Sequence, residues 1–211
     1  AAAVVAAIQE ALGVDGAALR LYPDPTSLAL RQAAANRHGL SVDQVFAGNG
    51  SDEVLAFVFQ TLLNQPARGP VYFPDISYSF YPSYCRLYGV AYKTLPLNDA
   101  FEIPLEALEA ETAAVIFPNP NAPTGKALAR SRIESFLSLH PETMVVVTRP
   151  MLTSAPKAAF PLLAPTPTPL LTSCFQSHGR LPAFRSGFPF AMLVLSRRLF
   201  AQKTASTPSP W

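Results

Sequence analysis

Acidic residues are missing from the last third of this 211-residue chain: the final one is Glu142, and residues 143–211 are neutral or basic. Cysteine is scarce as well. Cys85 and Cys174 stand apart, without the paired spacing of a metal site or the number a disulfide scaffold needs. A reduced, cytoplasmic setting is therefore expected, and neither thiol recommends itself as a nucleophile. Long apolar runs are absent too: "FPFAMLVL" near the end is far too short to cross a bilayer, and the opening "AAAVVAAIQEAL" lacks the basic start of a signal peptide. No membrane partner is expected. The chain begins at Ala1 and not at Met, from which missing upstream residues are expected.

What is present divides unevenly. With 49% hydrophobic residues the chain can bury one sizeable core, and its length suggests one or two domains. The net charge of +2 conceals a contrast: residues 148–211 carry seven Lys/Arg and no acid, while residues 1–147 carry nine Lys/Arg against 14 Asp/Glu. Ten of the 22 prolines also fall in residues 148–211, in runs such as "APTPTPL" that sustain neither helix nor central strand. Residues 1–147 are accordingly read as a folded body, and 148–211 as a Pro-rich basic tail expected to be irregular and disordered. The tail's basic residues are scattered without interleaved aromatics or a known motif, so no specific nucleic-acid partner is expected.

The body alternates element types. "VVAAIQEAL" reads as a helix, and "LRLYPDPTSLALRQAAANRHGL" as a turn leading into a second helix with Thr26 or Ser27 as N-cap. Strands are expected at "QVFAG", "GPVYFPD", "AYKTLPL", "AAVIFP" and "MVVV". Helices are expected at "VLAFVFQTLLN", "YSFYPSYCRLYG" with a break near Pro82, "PLEALEA" and "RSRIESFLSLHP". Apolar strands alternating with helices describe an α/β fold with a largely parallel sheet. In such sheets ligands bind beyond the carboxyl ends of the strands.

Three strand-end loops carry candidate chemistry. In "AGNGSDE", Gly48 and Gly50 permit tight turns, and Ser51, Asp52 and Glu53 open a helix whose free N–H groups suit a phosphate, or form an ordinary helix start. In "FPNPNAPTG" the prolines fix the backbone, so that an Asn amide is presented rigidly to a ligand or merely closes a turn. In "FPDISYSFYPSY", Tyr78, Phe80, Tyr81 and Tyr84 follow a strand, where one ring could stack on a flat cofactor while the rest fill the core.

Taken in order, "LYPDP", "GNGSDE", "FPDISYSFYPSY" and "NPNAPTG" resemble the pyridoxal-phosphate-dependent aminotransferases of class I/II, in particular their histidinol-phosphate branch, over roughly residues 2 to 147. The resemblance implies an incomplete large domain of fold type I. It also implies amino transfer between glutamate and imidazole-acetol phosphate in histidine biosynthesis, and pyridoxal 5'-phosphate as cofactor. Gly50, Ser51 and Asp52 match the loop that holds the cofactor phosphate, and Tyr78 the aromatic that stacks on its ring. Asn121 matches the Asn bonded to the ring hydroxyl, although Ala122 fills a place that is Asn in many relatives. Tyr22 matches a Tyr that reaches the neighbouring subunit's phosphate, which implies a homodimer.

Beyond the "MVVV" strand the pattern departs from the family. Relatives continue with a motif like Asp-Glu-Ala-Tyr, whose Asp pairs with the ring nitrogen, and later with a Ser-Lys-Ser-like motif whose Lys condenses with the cofactor. Here stand "TRPM" and "CFQSHGRLPAFRSGF". Lys157 and Lys203 lie in no strand-end context, and His178 reads as incidental. No catalytic residue is assigned. Back-translation offers a mechanical cause. Codons for "TRPMLTSA" can be chosen so that reading one nucleotide earlier yields Asp-Glu-Ala-Tyr-Val-Asp-Phe-Gly. The same shift lets "FQSHGRLPAF" become Leu-Ser-Lys-Ser-Arg-Ser-Leu-Ala-Gly-Leu, and "KTASTPSPW" become Lys-Asp-Ser-Phe-Asn-Ser-Phe-Thr-Leu. The hypothesis is a frame slip of one nucleotide near residue 147, which leaves the chain without transaminase activity.

Overall fold

The computed structural model describes residues 20–148 except 39 and 109–111, together with 191–194 and a few positions before residue 20. Most of the helix expected at "VVAAIQEAL", and nearly all of the tail, lie outside the described residues.

Among the described residues, five strands and four α-helices lie in the body, with one further strand beyond it. In chain order these are α1 (Leu28–His38), β1 (Val45–Gly48), α2 (Gly50–Phe57), β2 (Val71–Pro74), α3 (Tyr81–Tyr88), β3 (Tyr92–Leu95), β4 (Ala114–Pro118), α4 (Arg130–Leu139), β5 (Met144–Thr148) and β6 (Ala191–Val194). Strands β3-β2-β4-β5 form one sheet in that order, and every pairing in it is parallel. This is the α/β architecture expected. Strand β1 pairs antiparallel with β6, from Val45 opposite Val194 to Gly48 opposite Ala191. Strand β6 lies within the tail, and its cause is local: "AMLV" is apolar and free of proline, so its backbone can join a ladder.

Burial explains the sheet's composition. Every residue of β2, β4 and β5 is buried, whereas edge strand β3 exposes three of its four. Alternation then sorts side chains to two faces. Val71, Phe73, Ile116, Met144 and Val146 pack with Val54, Val58, Phe59 and Tyr81 on one face. Tyr72, Val115, Phe117, Val145 and Val147 pack with Ile103, Leu128, Ile133 and Phe136 on the other. A sheet covered on both sides is what crossover helices produce.

Three local expectations are corrected or refined by the structure. Ser27 does hold the N-cap position of α1, its carbonyl accepting from the Arg31 N–H at 3.0 Å, but the capping side chain is that of Asp24, whose carboxylate accepts from the Leu28 N–H at 2.6 Å, the Thr26 N–H at 2.9 Å and the Thr26 hydroxyl at 2.8 Å. Pro82 does not interrupt its helix but sits in the first turn of α3, where a missing N–H costs nothing. "PLEALEA" yields only a 3-10 turn, Leu105–Ala107, and α2 continues through Val58–Leu63 as a π-helix.

Phe117 is wholly buried at the centre of the second face. Phe117→Ala is expected to destabilise the fold by about 3–5 kcal/mol through lost transfer energy and the cavity left behind. The denaturant midpoint of the variant against the parent chain measures it.

Candidate active site

The carboxyl ends of β1, β2, β4 and β5 deliver the loops singled out in the sequence. Gly48 ends β1, and a Cβ there would meet Glu53 Oε2 at 2.8 Å and Val54 Cγ2 at 2.9 Å, so only glycine lets the strand turn so closely into α2. Gly50 has φ +84°, a left-handed conformation that strains other residues. Glu53 folds back and its carboxylate accepts the Asn49 N–H, closing the loop. Gly50, Ser51 and Asp52 therefore form the first turn of α2, where backbone N–H groups have no intrahelical acceptor. An anion cradle would need this geometry, and so would an ordinary helix start.

The loop after β2 brings a cluster of tyrosines to that cradle. Tyr78 donates its hydroxyl to Asp52 Oδ1 at 2.8 Å. Tyr84, six residues further on, donates to the Asp52 carbonyl at 3.2 Å and reaches Oδ1 at 3.4 Å. Burial, with the negative charge of Asp52 behind it, pushes the Tyr84 phenol well above the usual tyrosine range. The Tyr78 ring meets Tyr81 edge-on with centroids 5.4 Å apart and stacks on Phe80 at 5.8 Å. Tyr81 is fully buried and shares a 2.8 Å hydrogen bond with Thr148 Oγ1 at the end of β5. Cys85 is buried beside this cluster, and desolvation raises its thiol to about 11, which fits an inert core residue.

The loop after β4 contributes differently. Asn119 donates to the Leu128 carbonyl at 3.0 Å and accepts the Leu128 N–H at 2.9 Å, pinning the loop shut. Asn121 is fully buried, and its amide donates to the Ile76 carbonyl at 2.8 Å, tying this loop to the one after β2. Its Oδ1 and the neighbouring Ser77 hydroxyl are buried without a hydrogen-bond partner among the described residues. Ala122 is exposed, and so is Tyr22, which touches none of this cluster's hydrogen bonds.

The structure thus gathers Gly50, Ser51, Asp52, Tyr78 and Asn121 at one end of the sheet and leaves Tyr22 apart. Sequence reasoning named Tyr81 and Tyr84 beside Tyr78 as cofactor-stacking or core rings but not their contacts with Thr148 and Asp52, and it did not single out Thr148. The spacing of Tyr78, Tyr81 and Tyr84 by threes, one helical face, was the available signal. No group of His, Cys, Asp and Glu suited to a metal is found among the described residues, and no described helix is long and apolar enough to cross a membrane.

Comparison with known proteins converges on one class. The sequence profile "Aminotransferase class I and II" matches residues 1–148, and the chain belongs to that family. Among its relatives, a histidinol-phosphate aminotransferase 2 of Thiobacillus denitrificans is 45% identical over 204 residues, which are 96% of this chain and 57% of that protein. One from Dechloromonas aromatica is 44% identical over 208 residues, covering 98% of this chain and 58% of its own. The chain spans little more than half the length of these relatives. The structure of histidinol-phosphate aminotransferase from Sinorhizobium meliloti in complex with pyridoxal-5'-phosphate superposes with TM-score 0.73 at 23% identity, covering 99% of this chain and 56% of that one. The fold is therefore that of the fold-type-I aminotransferase large domain, in part.

Because the Tyr84 pKa is raised in the folded state, its contribution is fully present below the unfolded value of 10.0 and is lost as pH climbs beyond it. Tyr84→Phe is expected to flatten the fall in stability above about pH 10 while leaving the neutral-pH slope unchanged. Denaturation midpoints across that range measure this.

Proposed function

We propose that the chain descends from a histidinol-phosphate aminotransferase and retains that enzyme's cofactor cradle without its catalytic apparatus. The relatives' shared name, at 44–45% identity, is what carries the substrate class: amino transfer between glutamate and imidazole-acetol phosphate. The described residues suit one end of pyridoxal phosphate. Backbone N–H groups of Gly50, Ser51 and Asp52 would hold its phosphate, Tyr78 would stack on its ring, and the unpartnered Asn121 Oδ1 would accept from the ring hydroxyl. When bound, pyridoxal phosphate supplies an aldehyde that condenses with amines and a ring that withdraws electrons.

The other end does not suit it. Thr148 stands at the end of β5, where the family pattern calls for Asp; its hydroxyl is neutral and already bonded to Tyr81. A neutral hydroxyl cannot balance a protonated ring nitrogen as a carboxylate does. Of the described lysines, Lys93 lies 5.9 Å from the Tyr72 ring centre and Lys126 follows the loop after β4. No transamination step is assigned to these residues. The profile match ends at residue 148, beside the proposed frame slip, whereas the pairwise match to the Thiobacillus denitrificans relative covers 96% of the chain and so runs past it. A cytoplasmic homodimer is part of this reading, with Tyr22, wholly exposed on its own chain, reaching the partner's phosphate. That exposure also favours a second reading: a non-catalytic subunit that docks on an intact relative.

The test is to incubate the purified chain with pyridoxal phosphate, reduce with borohydride and map the peptides. The expected result is no single modified lysine. One lysine modified stoichiometrically would establish a competent site and overturn the reading.

A further inference from the structure

Asp52 is the one acidic side chain in the cradle directed at the tyrosine cluster. A carboxylate at a phosphate site is unfavourable by charge, since anion would face anion. The structure shows what this one does instead. Its Oδ1 accepts from Tyr78 at 2.8 Å and is 3.4 Å from the Tyr84 hydroxyl, which also donates to the Asp52 carbonyl at 3.2 Å. Hydrogen bonds to an ionised acceptor are stronger than neutral ones. The Tyr78 ring is therefore held at its hydroxyl by Asp52 and at its ring by a T-shaped contact with buried Tyr81, with Phe80 stacked beside it at 5.8 Å. Tyr81 is fixed in turn by Thr148. A ring held at both ends cannot rotate away, and it is preorganised for a flat ligand.

We propose that Asp52 is a positioning residue whose carboxylate, by accepting from Tyr78 and Tyr84, locks the Tyr78 ring for stacking on a flat aromatic ligand that carries a phosphate. Its share in holding that phosphate is confined to its backbone N–H. The inference rests on the cofactor reading above only for the ligand. The locking of the ring stands on the chain's own contacts.

The test uses the full chain with Asp52→Asn and Asp52→Ala, read by the near-ultraviolet tyrosine circular dichroism without ligand and by the dissociation constant for pyridoxal phosphate in equilibrium dialysis. An amide oxygen still accepts from Tyr78, so Asp52→Asn is expected to keep the tyrosine band and to bind within about threefold of the parent, whereas Asp52→Ala loses band intensity and binds about tenfold more weakly. Equal damage by both variants, or an Asp52→Ala chain matching the parent in both readouts, overturns the proposal. Should Asp52→Ala fail to fold, Tyr78→Phe keeps a stacking ring but removes the donor, and is read by binding alone: about tenfold weaker binding of pyridoxal phosphate supports the proposal and parent-like binding overturns it. If the parent binds no pyridoxal phosphate while the band still falls in Asp52→Ala, the locking stands and the cofactor reading fails.

Discussion

The parallel pairing of β4 with β5 is the constraint on which the site depends. Its register runs from Ala114 opposite Met144 to Pro118 opposite Thr148, and every residue in it is buried. Because parallel strands end on the same side, that register sets Thr148 level with the start of the Asn119 loop, where the Asn119 N–H donates to the Thr148 carbonyl at 2.8 Å. Strand β2, parallel to β4 and reaching the same end, adds the Tyr78 loop. A slip of one residue would turn every side chain to the opposite face and scatter the cluster. The apolar alternation that fills both cores is thus also what aims the polar loops.

Much of this was legible in the sequence, and for identifiable reasons. β-Branched and aromatic runs such as "VYF", "AVIF" and "MVVV" leave little choice but buried strands, and the glycines and prolines of the loops mark where the chain must turn. Other features depended on tertiary contact. Asp24 as the capping side chain required seeing that it reaches forward four residues, past the equally suitable Thr26 and Ser27. The engagement of Asp52 by tyrosines 26 and 32 residues away has no local signature at all. Asn121, read as a ligand-facing amide, is fully buried, with its Nδ2 donating to the Ile76 carbonyl and only its oxygen left to face a partner.

The proposed function divides the polar end of the sheet between residues that would hold a cofactor and residues that would react with it. The residues that would form cradle, stacking ring and loop ties come before 148, and the described hydrogen bonds among Asp52, Tyr78, Tyr84, Asn119 and Asn121 run within that part of the chain. The residue that closes the cluster, Thr148, is the first in the stretch where the chain's composition changes. Its hydroxyl satisfies Tyr81 and so fits the packing, but carries no charge. Loss of chemistry with retention of scaffold is what a change confined to the distal sequence would leave behind.

The most direct measurement is the nucleotide sequence across codons 147–157. The account predicts that, read one nucleotide earlier, these codons spell Asp-Glu-Ala-Tyr and continue in the aminotransferase pattern. Codons incompatible with that reading, uninterrupted through the same stretch, would contradict it and make "TRPM" a sequence in its own right.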